Sequence, residues 1–238
     1  KTLVDAIQQG RTIFQNIKKA TLTCLSSNFA ELIVVLTGLA AAAIWHIPPA
    51  ITAIQILAID LIAELFPIAA LGWDKPTRSL MHEPPRKPED HIFNLAAVKD
   101  LIFTGLLMGG LAYLNFMVFV WRHHTSLSSL ATSSTLYASA TTLTYVTICM
   151  CQFTNLLIRR STDRTLSRYL FSNHQLWVAF GISFFAILNI AYNPLVHKVF
   201  STYYIGLFDW ACIGITALIY FAVKETAKLR SRTQSVRV

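Results

Sequence analysis

The chain has 238 residues, of which 54% are hydrophobic and only 13% charged, and its mean hydropathy is +0.51. That balance excludes a water-soluble globular protein. The net charge of +8 gives no support to a nucleic-acid partner, because the basic residues are scattered over four loops with no recognition motif.

No signal-peptide pattern opens the chain. Leu3, Ile7, Phe14 and Ile17 recur at helical spacing and lead through Lys18 and Lys19 into an apolar run, which reads as a cytosolic stalk entering a membrane. A spanning helix needs about 20 apolar residues at about 1.5 Å each. Six runs qualify: Leu22 to Ile44, Ile51 to Leu71, Val98 to Val120, Leu136 to Ile158, Leu176 to Tyr192, and Tyr204 to Val223. Only His46 to Ala50, with Pro48-Pro49, separates the first two, so they form a tight antiparallel hairpin. The longest loop, Gly72 to Ala97, is rich in proline and charge. In the third run Gly105 and Gly109 have the spacing that lets helices approach closely. His123-His124 fall in an outer loop and are expected to be solvated, and Asp209, near the outer end of the sixth run and within reach of water, is not read as a site.

With the N-terminus in the cytosol, eighteen of the twenty Lys and Arg residues lie on the cytosolic side, leaving only Arg122 and Lys198 outside. The positive-inside rule therefore places both termini in the cytosol, with some attraction to anionic lipid. The expected fold is an all-α membrane protein. It comprises a cytosolic stalk helix over residues 1–21, six transmembrane helices within 22–223, and a cytosolic basic tail over 224–238. The lipid bilayer is its first partner.

Three carboxylates interrupt the first two runs: Glu31, Asp60 and Glu64. Each costs about 2.5–3.5 kcal/mol at the centre of a spanning helix, so the three cost about 8–10 kcal/mol together. Neither run contains a Lys or Arg to offset them, which points to a cation that comes and goes. Asn28 and Glu31 are three apart and Asp60 and Glu64 four apart, so each pair shares a helix face. Converging carboxylate and amide oxygens suit a hard cation, with Glu31, Asp60 and Glu64 as metal ligands. Pro67, three residues after Glu64, is expected to unwind the helix and free carbonyl oxygens; a simple kink is the alternative. Gln152 and Asn155 in the fourth run are possible further ligands, or part of the polar interface. Cys24, Cys149, Cys151 and Cys212 all fall in spans and read as small packing residues.

Several segments resemble a known family. Gly10-Arg11-Thr12-Ile13-Phe14-Gln15-Asn16-Ile17-Lys18-Lys19 and Ser26-Ser27-Asn28-Phe29-Ala30-Glu31 are similar to the stalk and fifth transmembrane helix of type-II P-type cation-transporting ATPases. Gln55-Ile56-Leu57-Ala58-Ile59-Asp60-Leu61-Ile62-Ala63-Glu64-Leu65-Phe66-Pro67 resembles the sixth helix, Met81 to Arg86 the loop that follows, and Lys224-Glu225-Thr226-Ala227-Lys228 the C-terminal exit. The resemblance implies an ATP-driven pump with an aspartyl-phosphate intermediate. It also implies partners within the same polypeptide, namely N-terminal helices and cytosolic domains that use ATP and Mg2+. The chain contains no Asp-Lys-Thr-Gly-Thr, so by itself it is not expected to hydrolyse ATP and has no catalytic residue.

Position by position, the resemblance makes Asn28, Glu31, Asp60 and Glu64 ion ligands. Calcium pumps usually have Asn at the position of Asp60, and the intracellular-membrane type adds a Glu where Cys149 stands. Sodium/potassium pumps share the Asp at position 60 but usually have Asp in place of Asn155, and proton/potassium pumps carry Lys in place of Ser27. The expectation leans to a monovalent cation, Na+ or K+, with Ca2+ close behind, in the plasma membrane. A six-span channel or secondary transporter, or a structural subunit with neutral acids, remain the alternatives.

Overall fold

A computed structural model describes residues 2–75, 81, 94–123, 134–160 and 171–235, with side chains to 228. Residues 82–86 of the loop motif, His124, and the loop arginines at 78, 86, 164 and 168 lie outside these. Among the described residues all regular structure is helical.

Helix α1 runs unbroken from Thr2 to Trp45, because no proline interrupts it before Pro48. At about 1.5 Å per residue it is about 66 Å long, roughly twice the hydrocarbon thickness, so stalk and span form one rod. His46 ends it in the left-handed region at φ 55, and its N–H bonds the Ala42 carbonyl at 3.1 Å. Thr52 then starts α2 (Ala53–Ala58) with a reciprocal capping box to Gln55.

The second span is composite. After α2 comes a π-helical stretch, Ile59–Glu64, then α3 (Leu65–Ala70) and a 3-10 turn, Leu71–Trp73. Pro67 was expected to unwind this region, but the helix stays closed and widens instead. Pro67 offers no N–H to the Ala63 carbonyl and its ring crowds that carbonyl, and a π turn accommodates both by shifting the bonding register. Such turns occur mostly at functional sites.

Helix α4 (Leu95–Arg122) is capped by Asn94, whose side chain accepts from the Ala97 N–H. It is followed by α5 (Thr135–Arg160), α6 (His174–Tyr192), the short α7 (Pro194–Phe200) and α8 (Leu207–Ser235). Six helical stretches are long and apolar enough to cross a membrane: Thr2–Trp45, Ala53–Trp73, Leu95–Arg122, Thr135–Arg160, His174–Tyr192 and Leu207–Lys228. Helix α5 is the hub, with 78% of its apolar window buried against 28% for α8. Helix α8 continues past Lys224, which is buried and paired with Asp100 of α4.

Close packing of α4 on α1 depends on its glycines. A methyl on Gly109 would meet the Ala30 carbonyl oxygen at 2.6 Å and Ile33 Cβ at 3.0 Å, and one on Gly105 would overlap Phe29. Polar contacts then fix the bundle. Asn115 of α4 donates to Thr147 of α5 at 3.1 Å and Thr216 of α8 at 3.0 Å. Asp209 is buried and bonded to Arg122 at 2.6 Å; each of these two was read alone in the sequence, and folding brings them together. At the stalk end, fully buried Arg160 grips Asp74 through Nε at 2.7 and 2.9 Å. Asn16 of the stalk donates to the Asp74 carbonyl at 3.0 Å and Lys19 to the Arg160 carbonyl at 3.1 Å. The two acid-bearing spans are thereby tied together through the end of α5.

Candidate functional site

Along α1, Ser27, Asn28 and Glu31 face the π turn that carries Asp60 and Glu64. Ser27 Oγ donates to Glu64 Oε1 at 2.5 Å. Asn28, in the amide orientation that satisfies its neighbours, donates to Asp60 Oδ1 at 3.2 Å and to the Cys24 carbonyl at 3.3 Å. Two of the four principal residues thus meet directly, and Glu64 is held through Ser27, a residue that the sequence did not mark as a partner. Glu31 lies within electrostatic reach of both Asp60 and Glu64.

Helix α5 supplies the third wall. Gln152 stands beside Glu31, and Asn155 is completely enclosed. Neither amide has formed a hydrogen bond. Glu31 Oε1 and both side-chain polar atoms of Gln152 and of Asn155 are buried without a partner. Leaving such a group unsatisfied costs about 1–3 kcal/mol, and native proteins rarely keep several together unless water or an ion completes them. The three oxygens are hard donors that suit a cation, and the amide nitrogens are donors that suit water.

The carboxylates line this pocket rather than enclosing one point. Among the described residues no three His, Cys, Asp or Glu side chains stand together closely enough to hold a metal ion. Carboxylates alone therefore do not make the expected metal-ligand set of Glu31, Asp60 and Glu64 in this conformation. Pro67 touches the site only through the π turn.

Burial is uneven. Glu31, Glu64, Gln152 and Asn155 are buried, Asp60 is half-buried, and Asn28 is exposed. The pocket is closed towards α5 and open beside Asn28 and Asp60. An amide and a carboxylate facing hydrocarbon in mid-span would be costly. Of the cysteines nearest in sequence to these residues, Cys24 on α1 is half-buried and Cys149 on α5 is fully buried.

The stalk end of the bundle carries a second charged cluster. Asp100 of α4 pairs with Arg159 of α5 at 2.8 Å and with Lys224 of α8 at 2.5 Å. Arg159 also donates to Ser26 Oγ at 2.7 Å, next to Ser27.

A family model described as "Cation transporting ATPase, C-terminus" matches residues 48–230. The chain is 29% identical over 232 residues to the calcium-transporting ATPase of Bacillus subtilis, covering 97% of this chain and 24% of that protein. It is 27% identical over 236 residues to calcium-transporting ATPase 1 of Saccharomyces cerevisiae, covering 98% and 23%. It is 25% identical over 229 residues to the rat calcium-transporting ATPase type 2C member 2, covering 95% and 23%. The chain thus spans about a quarter of the length of these curated relatives.

Proposed function

The chain belongs to the cation-transporting ATPase C-terminal family, and from that premise we propose that it is the membrane portion of an ATP-driven P-type pump that binds and passes its cation between α1, the π turn and α5. The observation that carries this reading is the pair of buried, unpartnered oxygens on Glu31 and Gln152, near Asp60 and the Ser27–Glu64 bond, with the enclosed amide of Asn155 one turn further along α5. A structural subunit with neutral acids gives no reason for an enclosed amide pair to be left unbonded.

Of the three ions, Ca2+ moves ahead of Na+ and K+. The relatives are named as calcium transporters, and three acids around one pocket balance a divalent charge better than a single one. Asp60 underlay the lean to a monovalent ion, whereas Asn155 departs from the sodium/potassium pattern. Asp60, held by the amide of Asn28, and Asn155, as a neutral oxygen ligand, fit a divalent one equally well. The open side at Asn28 and Asp60 is the docking face for helices outside this chain, and the stalk end of α1 points to the domains that handle ATP and Mg2+. In this reading the bundle sits in a bilayer, with the plasma membrane the first candidate. The stalk and basic ends are cytosolic, since the bundle carries most of its basic residues there.

The test is acid-stable phosphoenzyme formation by the complete polypeptide from labelled ATP, with calcium, sodium, potassium or no added cation. Label that depends on calcium supports the reading. Label that depends on sodium or potassium changes the ion but keeps the pump. No label in folded protein refutes the pump and favours an ATP-independent transporter.

A further inference from the structure

Pro67 removes one backbone donor from the second span. Two carbonyls stand to lose it: that of Ala63, four residues earlier, in an α-helical register, and that of Ile62, five residues earlier, in a π-helical one. The stretch Ile59–Glu64 is π-helical, so the carbonyl that falls opposite Pro67 is Ile62's. Hydrocarbon offers such a group no water. A transmembrane proline is tolerated where a neighbouring Ser or Thr hydroxyl satisfies the freed carbonyl.

A hydroxyl stands at that point. Helix α6 packs against both the π turn and α3, and Ser183 Oγ donates to the Ile62 carbonyl at 3.2 Å. Ser183 is fully buried on a face of α6 that is otherwise apolar, between Phe180 and Ile187. Hydroxyls inside a helix commonly bond back along it, and Thr23, Thr37, Thr144 and Thr147 each take the carbonyl four residues earlier. Ser183 reaches across to another helix instead. Ile62 lies two residues from Asp60 and two from Glu64. Asn28 and Ser27 hold those acids from α1, so the turn is gripped from α1 through its side chains and from α6 through its backbone.

Resting on the cation-site reading above, we propose that Ser183 is a positioning residue for the cation site: its hydroxyl stands in for the N–H that Pro67 lacks, keeps Ile59–Glu64 in the π register, and thereby sets where Asp60 and Glu64 point. Ser183 does not touch the ion. Without its hydroxyl the Ile62 carbonyl must find a donor within its own helix, and the turn shifts register to supply one. One residue of register is about 100° of rotation about a helix axis, so even a partial shift carries the carboxylates away from Ser27 and Asn28.

The experiment is phosphoenzyme formation by the complete polypeptide, titrated with calcium, sodium and potassium in turn. Ser183→Ala and Ser183→Cys, the second keeping the side-chain volume without the strong donor, should each raise the half-saturating cation concentration by about 3- to 10-fold, the worth of one hydrogen bond. The effect should fall on that concentration rather than on the label reached at saturation. Pro67→Ala returns an N–H to the turn. Whatever it does by itself, adding Ser183→Ala to it should change the concentration by less than about twofold, because the two changes act on one carbonyl and are not additive. Ile187→Val, which trims the same face of α6 away from the turn, should leave the concentration unchanged. An equal loss with and without Pro67→Ala marks Ser183 as packing and overturns the proposal, as does an unmoved concentration in both Ser183 variants. Folded, unsubstituted protein whose label responds to none of the three ions refutes the cation-site reading itself. Ser183→Cys preserves the packing, so the decision stands even if the alanine variant does not fold.

Discussion

Replacing Asn155 by leucine should make the cation-free protein more stable and less able to bind its ion. Asn155 is fully enclosed on α5 and neither its amide nitrogen nor its oxygen has a partner. Two such atoms cost about 1–3 kcal/mol each when left unsatisfied, so an apolar side chain of similar size removes a penalty of about 2–6 kcal/mol, less whatever water already recovers. In the presence of the cation this advantage shrinks. At a concentration a hundredfold above Kd, binding stabilises the unsubstituted protein by about 2.7 kcal/mol, and a tenfold loss of affinity cuts this to about 1.4 kcal/mol. Thermal unfolding of the purified complete polypeptide, with and without calcium, reads both effects. The leucine variant should melt higher than the parent without calcium and gain less from calcium. A variant that melts lower without calcium, yet keeps the full calcium gain, refutes the view that Asn155 is held unbonded for an ion.

Other positions give sharper contrasts between site and scaffold. Ser27→Ala removes the 2.5 Å donor to Glu64 and should weaken cation affinity by about tenfold, from a charge-assisted bond of about 1.5 kcal/mol, as read from the cation dependence of phosphoenzyme formation. In the same assay Glu31→Gln and Asp60→Asn should each lower affinity, and unchanged affinity in both would remove them from the site. Gly109→Leu should lower the yield of monodisperse protein, because the Ala30 carbonyl is backbone and has no room to give way. Arg160→Met leaves Asp74 buried without its ion pair and should destabilise by about 3–5 kcal/mol, and adding Asp74→Leu should restore much of that in the same melt. Asn115→Val should cost about 0.6–1.7 kcal/mol through its lost interhelical bonds without altering cation affinity.

Sequence by itself determined the spans, because a 20-residue apolar run has one low-energy fate in a bilayer and local composition suffices to find it. It also marked Glu31, Asp60 and Glu64, since an uncompensated acid inside such a run is conspicuous before any folding is known. The Gly105 and Gly109 contact was legible for the same reason: small residues at helical spacing have no other obvious use. Partners across the bundle were not legible. Arg122 and Asp209 are 87 residues apart, and Ser27 and Glu64 are 37 apart, so nothing in either local pattern names the other. The π turn depended on how Pro67 is accommodated, which sequence left open between a kink and an unwound stretch. Most of all, only the tertiary structure decided which polar groups are left without partners. Burial of Gln152 and Asn155 is produced jointly by the surrounding helices. Hydropathy reports how much a residue tolerates lipid, whereas a binding site is defined by what stands opposite it.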